Sequence, residues 1–351
     1  MLDDLKYIHE KDAQDALGIA EKQWQQLDYD FQVVGSLPTE QIESVVFSGM
    51  GGSSLSALLF MSWPGLNKPA VISRDYSLPS FVNSKTLVIA YSYSGNTEET
   101  LSALHEAEAK KAQVVVVGAG GKLIEIAKQK GYAHVILPPA GQPRFAALYG
   151  LNALVTIFSA LGLVGSNKLA ELKNTSNFVK QATAGWAPTV ARASNQAKQL
   201  AYEVIGSSPV IYSGPFLYAS AYKWKISFNE NAKNVAWCSQ YPEFNHNEFL
   251  GWTSHPQDKP YKVIDLRSNL DHPQIQKRFQ ISDRLLSGRR PAAIVVNVEG
   301  STPLEQLLWS VALGDFVSLY TALLNGLNPT PVDIIEKLKK ELVQTNISYS
   351  A

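Results

Sequence analysis

The chain has 351 residues, of which 45% are hydrophobic and 18% are charged, so it is long enough to form two domains. Its 31 basic and 31 acidic side chains cancel, which excludes the overall positive charge typical of proteins that bind nucleic acid or an anionic membrane. The single cysteine, Cys238, excludes an internal disulfide and any metal site made of several cysteines, and it fits a cytoplasmic protein.

Two stretches of the sequence were candidates for a targeting or membrane segment, and neither has the composition of one. Residues 1–18 carry too many charges and too few apolar side chains for a signal peptide. The most apolar stretch, 148–165, contains Asn152, Thr156 and Ser159. It therefore predicts a buried helix rather than a membrane span, and we expect no membrane partner.

Short runs of β-branched residues alternate with helix-like stretches in the first half. The predicted strands are SVVF (44–47), PAVIS (69–73), TLVIAYS (86–92), QVVVVG (113–118) and HVIL (134–137). The stretches between them, such as TEETLSALHEAEAKK, have apolar residues at helical spacing. This alternation predicts a parallel sheet that is covered by helices on both faces.

The second half repeats the same alternation. Its predicted strands are SPVIYSG, NVAWCS, YKVIDL and PAAIVVNV, and its predicted helices lie near 216–232, 272–287, 303–325 and 331–344. The segments VVFSGMGG and VIYSGPFL open the two halves in the same way. We therefore predict an α/β fold with a domain at 1–165, a helical connector at 166–205, and a second domain at 206–351. Each domain is a mostly parallel sheet between two layers of helices.

Two loops at the carboxyl ends of predicted strands carry hydroxyl groups. The candidate residues are Gly51, Gly52, Ser53, Ser92, Ser94 and Thr97. One interpretation is a pair of tight turns in which Ser53 or Ser54 caps one helix and Thr97 caps the next. The other is an anion site, since ligands bind at this edge of open α/β sheets and helix N-termini favour anions. Two such loops in one sheet favour the anion site. Neither GMGGSS nor GAGG (118–121) has the spacing of a Walker or dinucleotide loop.

Glu230 and His246 form the second candidate set. A carboxylate and an imidazole are a common pair for moving protons, although each residue alone is compatible with a solvated helix residue or a loop hydrogen bond. Asparagines flank both positions, which is unusual beside so many aromatic side chains. No His-x-His or His-x-x-x-His spacing is present, so we predict no metal site.

The motifs GMGGSS, SYSGNTEET, NENAK and NHNE, in this order, resemble those of sugar isomerase (SIS) domain proteins. SYSGNT alone marks any phosphosugar-binding SIS domain. The Glu/His pair and the ending GDFVSLYTALLNGLNPTPVDIIEKLKKEL narrow the resemblance to the bifunctional phosphoglucose/phosphomannose isomerases of archaea and bacteria. The resemblance spans nearly the whole chain. It implies isomerisation of glucose 6-phosphate and mannose 6-phosphate with fructose 6-phosphate through a cis-enediol, without a cofactor or metal.

The resemblance also implies a role for each candidate residue. The residues that it places around the 6-phosphate are Gly51, Gly52, Ser53, Ser92, Ser94 and Thr97. Glu230 resembles the base that moves a proton between C1 and C2. His246, from the neighbouring subunit of a homodimer, and Lys337 match residues that open the sugar ring. Arg144 matches an arginine that stabilises the enediolate. Thr330 matches a position that leaves room for both C2 epimers.

Two alternatives remain open from the sequence. A non-catalytic SIS sensor would keep the phosphate loops but would not need Glu230, His246, Arg144 and Lys337, and Lys337 also fits a solvated amphipathic helix. An amino-sugar synthase is disfavoured, because we expect such a chain to carry an amidotransferase with a nucleophilic cysteine. The segments SSLSA and PRFAALYG depart from the family pattern, which we expect to alter the sugar preference without removing the activity.

Overall fold

Within residues 1–254 and 260–344, which the computed structural model describes, the chain forms two parallel sheets. The strands of the first are β1 (Ser44–Ser48), β2 (Ala70–Ser73), β3 (Thr86–Tyr91), β4 (Gln113–Gly118) and β5 (Ala133–Ile136). They lie in the order β2-β1-β3-β4-β5, and every pair is parallel. All six residues of β3 are buried, as expected for a central strand that is covered on both faces.

Helices precede and connect these strands. They are α1 (Leu5–Lys11), α2 (Ala16–Glu21), α3 (Gly51–Ser62), α4 (Glu98–Ala109), α5 (Gly121–Lys130) and α6 (Ala147–Ala160). The predicted strands of the first half are confirmed, with ends that differ by one residue or so. The apolar stretch 148–165 is the buried helix that its polar residues predicted, because α6 packs into the core.

The second half repeats the topology of the first. Its elements are α7 (Lys168–Gly185), α8 (Gln196–Val204), β6 (Ser208–Ser213), α9 (Tyr218–Asn231), β7 (Trp237–Gln240), α10 (Glu248–Gly251), β8 (Tyr261–Arg267), α11 (Pro273–Leu285), β9 (Ile294–Asn297), α12 (Pro303–Leu324) and α13 (Asp333–Gln344). The order β7-β6-β8-β9 is that of β2-β1-β3-β4, with parallel pairing throughout. The α/β fold of two parallel sheets is therefore confirmed.

Helix α12 is the centre of the molecule. It begins with a capping box between Thr302 and Glu305, and it packs against α2, α7, α8 and α9. By length and composition it could cross a membrane, but 94% of its most apolar window is buried inside the protein. One apolar cluster runs from the first sheet through α12 to the second, and includes Leu172 and Leu200 of α7 and α8. The helices α7 and α8 of the predicted connector thus belong to the core. The predicted domain limits, at residues 165 and 205, stay a prediction.

A buried polar group joins α9 to α12. The Lys223 ammonium forms an ion pair with Asp315, and the Ser227 hydroxyl donates to the same carboxylate at 2.8 Å. Trp224 donates from its indole nitrogen to the Ser310 carbonyl at 2.7 Å. All of these side chains are almost completely buried. The two helices therefore meet through a satisfied polar layer as well as through apolar packing.

We expect Lys223→Met to destabilise the protein by about 3–5 kcal/mol, because it leaves the Asp315 carboxylate buried without its cation. The double variant Lys223→Met/Asp315→Leu removes both charges and should recover most of that loss. Urea unfolding of the two variants beside the wild type measures the difference. A single variant as stable as the double one would show that the ion pair does not compensate a buried charge.

Candidate active site

The first hydroxyl-rich loop leads directly from β1 into α3. Helix α3 begins at Gly51, which has φ +48°, and Met50 is its N-cap residue. The expectation that Ser53 or Ser54 caps the helix is therefore wrong, since both serines lie inside its first turn. They do so because Gly51 tolerates the left-handed backbone and lets the helix begin earlier. No side chain caps this helix, so its N-terminus can face a ligand.

The second loop places three hydroxyl groups at the start of α4. The Ser92 and Thr97 hydroxyls are hydrogen-bonded at 2.7 Å, and the Ser94 hydroxyl lies 3.4 Å from that of Ser92. Thr97 is the N-cap residue of α4, as predicted, but its hydroxyl faces Ser92 instead of capping the helix. The loop thus combines clustered donors with an uncapped helix N-terminus, an arrangement that suits an anion.

A hydrogen bond brings the two loops together. The backbone N–H of Tyr93, inside the second loop, donates to the Ser53 hydroxyl oxygen at 3.1 Å. Strands β1 and β3 are neighbours in the sheet, so both loops leave it at the same edge. Because the Ser53 oxygen accepts from Tyr93, its own hydrogen remains available to donate. The two loops therefore lie side by side, as the prediction of a shared anion site requires.

The glycine-rich turn 118–121 supports the second loop, although the sequence analysis gave it no role. Gly95 has φ +70°, and a Cβ atom there would lie 1.7 Å from the Gly120 carbonyl oxygen. A Cβ atom on Gly121 would lie 2.5 Å from the carbonyl oxygen of Ser94. Only glycine permits such a close approach of two backbones. The position of this turn, after the strand beside β3, was the signal that could have revealed its role.

Arg144 is the centre of the second part of the site. It is 1% exposed, and its Nε donates to Asn231 Oδ1 at 2.6 Å. Its Nη1 donates to Glu230 Oε2 at 3.1 Å, and its Nη2 donates to the carbonyls of Pro329 and Thr330 at 3.0 and 2.9 Å. Burial lowers the pKa of Arg144 and the Glu230 carboxylate opposes that shift, so the guanidinium stays charged. Arg144, Glu230 and Thr330 are thus brought together.

The turn that carries Arg144 also touches the first loop. A Cβ atom on Gly52 would lie 2.8 Å from the Pro143 carbonyl oxygen, so the two backbones pack against each other. The guanidinium carbon of Arg144 lies 4.6 Å from the centre of the Phe145 ring, a cation–π contact. Phe145 accounts for the bulk of PRFAALYG. The hydroxyl loops and the Arg144–Glu230 pair therefore belong to one site.

Asn231, which the sequence marked only as one of the asparagines that flank Glu230, orients Arg144. Its Nδ2 donates to the Ser318 hydroxyl at 2.9 Å, and that hydroxyl donates to the Asp315 carbonyl at 2.8 Å. These bonds fix the amide so that its oxygen faces Arg144. Asn231 is fully buried, whereas the Glu230 side chain is 25% exposed. Glu230 can thus reach a ligand while its neighbour holds the arginine.

His246 and Lys337 are both exposed. His246 ends the turn Glu243–His246 between β7 and α10, in which Phe244 is buried, and the Lys337 side chain on α13 is 76% exposed. In the described part of the chain no hydrogen bond or ion pair joins either residue to Arg144 or Glu230. The same described residues contain no group of three His, Cys, Asp or Glu side chains that could hold a metal ion.

The segment that carries His246 is firmly anchored. Asn245 donates from Nδ2 to the Ser282 hydroxyl at 3.0 Å and accepts from Arg278 Nη1 at 3.1 Å. Two residues after His246, the Glu248 carboxylate accepts from the buried Tyr212 hydroxyl. The residues around His246 are thus structural, which explains part of the crowding seen in the sequence.

Comparison with known proteins identifies the family of the chain. The family described as "Bacterial phospho-glucose isomerase C-terminal SIS domain" matches residues 193–342. The chain is 35% identical over 316 residues to a bifunctional phosphoglucose/phosphomannose isomerase of Caldicellulosiruptor bescii, covering 88% of this chain and 92% of that protein. A protein of the same name from Aquifex aeolicus is 33% identical over 303 residues, covering 86% of this chain and 90% of that protein. The fold is similar to that of a glucose-6-phosphate isomerase-like protein from Thermus thermophilus. The TM-score is 0.64 and the identity 18%, and the match covers 97% of this chain and 98% of that protein.

We expect Gly95→Ala to displace the second hydroxyl loop, because the new methyl group cannot occupy the space of the Gly120 carbonyl. The variant should lose phosphate binding, measured by calorimetry with inorganic phosphate. Gly131→Ala is the matched control, since Gly131 has φ +73° but nothing within 4 Å of its Cβ position. The control should lose only about 1–2 kcal/mol in urea unfolding and should bind phosphate normally. Equal behaviour of the two variants would contradict the close approach.

Proposed function

Because the chain belongs to the family of bifunctional phosphoglucose/phosphomannose isomerases, we propose that it interconverts glucose 6-phosphate and mannose 6-phosphate with fructose 6-phosphate through a cis-enediol intermediate. It is an aldose–ketose isomerase of phosphorylated sugars. The observation that carries the mechanism is the buried Arg144 guanidinium beside the partly exposed Glu230 carboxylate. A base next to a fixed cation suits proton abstraction beside a carbonyl group.

The hydroxyl loops hold the 6-phosphate in this proposal. The groups that face it are the hydroxyls of Ser53, Ser92, Ser94 and Thr97 and the backbone N–H groups that begin α3 and α4. Gly51 and Gly52 keep the first loop free of side chains. Binding energy from the phosphate, which takes no part in the chemistry, then orients C1 and C2 toward Glu230.

Glu230 transfers the proton. Its carboxylate removes the proton from C2 of the aldose, the C–H electron pair becomes the C1=C2 bond, and the carbonyl oxygen O1 gains the charge. A proton then moves from O2 to O1, which leaves the negative charge on O2. The O2 electron pair forms the C2=O2 carbonyl, and the C1=C2 electron pair takes the proton back from Glu230 at C1.

Arg144 stabilises the enediolate. In the described part of the chain four of its five N–H donors are engaged, one from Nε, one from Nη1 and two from Nη2. The remaining donor is on Nη1, beside Glu230, where it can bind the enediolate oxygen.

Both aldoses can use the same intermediate, because C2 is planar in the enediol and its chirality is lost. Returning the proton to one face gives glucose 6-phosphate and to the other gives mannose 6-phosphate. In this proposal Thr330 leaves room for both C2 epimers. Its carbonyl accepts a hydrogen bond from Arg144, which places Thr330 beside the group that stabilises the enediolate. Its hydroxyl is buried and has no hydrogen-bond partner among the described residues.

Ring opening requires a second copy of the chain. His246 and Lys337 are both exposed, so a second copy of the chain can reach them, and in this proposal the partner subunit's His246 completes the site of a homodimer. Helix α13 also exposes the apolar side chains of Ile334, Ile335, Leu338 and Leu342, a surface of the kind that protein contacts cover. A cytoplasmic location, expected from the single cysteine, stays a prediction.

The first test is a coupled assay for conversion of fructose 6-phosphate to glucose 6-phosphate and to mannose 6-phosphate, with EDTA present. We expect both products from the wild type. We expect loss of turnover for Glu230→Gln, which keeps the shape of the side chain but removes the base. Glucose 6-phosphate alone would contradict the role given to Thr330. Saturable binding of fructose 6-phosphate without turnover would support the sensor alternative.

Mixed dimers test the origin of His246. Dimers of Glu230→Gln alone or of His246→Ala alone should be inactive. If the partner subunit supplies the histidine, a mixed dimer of the two variants has one complete site, so random mixing should restore about a quarter of wild-type activity. If each chain uses its own His246, every site in the mixture is defective and no activity returns. The wild type mixed with itself under the same conditions is the control.

A further inference from the structure

The last residue of NENAK has an unusual backbone conformation. Lys233 follows the end of α9 and has φ +52°, in the left-handed region that side chains other than glycine rarely adopt. Such strain persists only where other contacts stabilise it. The side chain of Lys233 binds the segment after α12, and these contacts stabilise its backbone conformation.

The Lys233 ammonium binds three backbone carbonyls. Its Nζ donates to Asn328 at 2.8 Å, to Pro329 at 2.9 Å and to Asn231 at 3.2 Å. The Pro329 carbonyl also accepts from Arg144 Nη2. One backbone oxygen is thus shared by Lys233 and the buried arginine.

The segment 328–330 has few other attachments. It follows the end of α12 and precedes the exposed helix α13. Its remaining recorded side-chain bonds are an exposed one between Asn328 and Gln14 at 2.9 Å and a local one from Thr330 N to Asn328 Oδ1. Among the described residues, Lys233 and Arg144 therefore supply most of the attachments of this segment, and the bond from Arg144 to the Pro329 carbonyl is the buried one.

We propose that Lys233 is a positioning residue of the isomerase, which fixes the segment 328–330 against Arg144. The inference rests on the proposed function. Held in this way, the carbonyls of Pro329 and Thr330 occupy both Nη2 donors of the arginine, so Nη1 is directed at Glu230. The same contacts hold Thr330 at the place where C2 is expected. Lys233 itself does not touch the reacting atoms.

The charge of Lys233 is poised to change near neutral pH. Burial and the nearby Arg144 cation lower the pKa of Lys233 to about 8, while Asp333 and Glu230 oppose the shift. The ammonium has three N–H donors for its three carbonyls, whereas the neutral amine has two. Deprotonation thus removes the bond from Lys233 to one of the three carbonyls and weakens the other two bonds. As pH rises above about 8, the arginine loses part of its support and kcat should fall.

Two substitutions test the proposal in the full-length protein. Lys233→Met removes all three bonds and should lower kcat about tenfold or more, since small misplacements of catalytic groups have effects of this size. KM should change little, because the phosphate loops are unaffected. Lys233→Arg keeps a permanent cation and should retain kcat while losing the decline above pH 8. Lys225→Met, on the neighbouring helix α9, is the control and should keep the wild-type pH profile.

The outcomes separate this inference from the proposed function. If the wild type does not convert fructose 6-phosphate, the proposed function is wrong and the role of Lys233 falls with it. If the wild type is active but Lys233→Met keeps its kcat and its alkaline decline, only the role of Lys233 is overturned. If Lys233→Met does not fold, judged by circular dichroism, the pH profile of Lys233→Arg decides. An unchanged decline in that variant overturns the proposal.

Discussion

The arrangement of the molecule depends on the burial of one charge. A guanidinium removed from water must be surrounded by acceptors, or its desolvation would destabilise the fold. Arg144 meets this condition with oxygen atoms from two distant parts of the chain, the end of α9 and the segment after α12. The turn before α6 must therefore meet both. The constraint that stabilises the cation thus also assembles the site.

The polar layer between α9 and α12 follows from the same requirement. Arg144 needs Asn231 in one orientation, Asn231 needs the Ser318 hydroxyl, and Ser318 bonds back to the carbonyl of Asp315. The Asp315 carboxylate is in turn neutralised by Lys223. Each member of this buried chain has its partner, which is the condition under which such a network specifies one arrangement. Helix α12 is apolar enough for a membrane by length and composition, and these polar positions join it to α9.

The sequence predicted those features that depend on local pattern. Strand β3 and the hydroxyls of Ser92, Ser94 and Thr97 could be read directly, because periodicity and turn residues are local signals. The cap at Ser53 or Ser54 was predicted wrongly, since the backbone freedom of Gly51 decides where α3 begins. The roles of Glu230 and Arg144 came from a family resemblance.

The supporting residues could not be predicted, because their partners are far away in sequence. Lys233 is defined by the carbonyls of Asn328 and Pro329, and Gly95 by the carbonyl of Gly120. No local period encodes such pairs.

The repeated topology explains how the two halves divide the work. Ser213 ends β6 and Gly214 follows it, as Ser48 ends β1 and Gly49 follows it, yet a Cβ atom on Gly214 would lie 2.2 Å from the Asp271 carboxylate. Burial raises the pKa of Asp271 to about 6, so it is ionised at neutral pH and opposes an anion at this edge of the second sheet. The first half keeps the hydroxyl loops that suit a phosphate, and the second contributes Glu230 from the helix after β6. Because each half contributes a different part of the candidate site, the contact of Arg144 with α9 brings the two parts together.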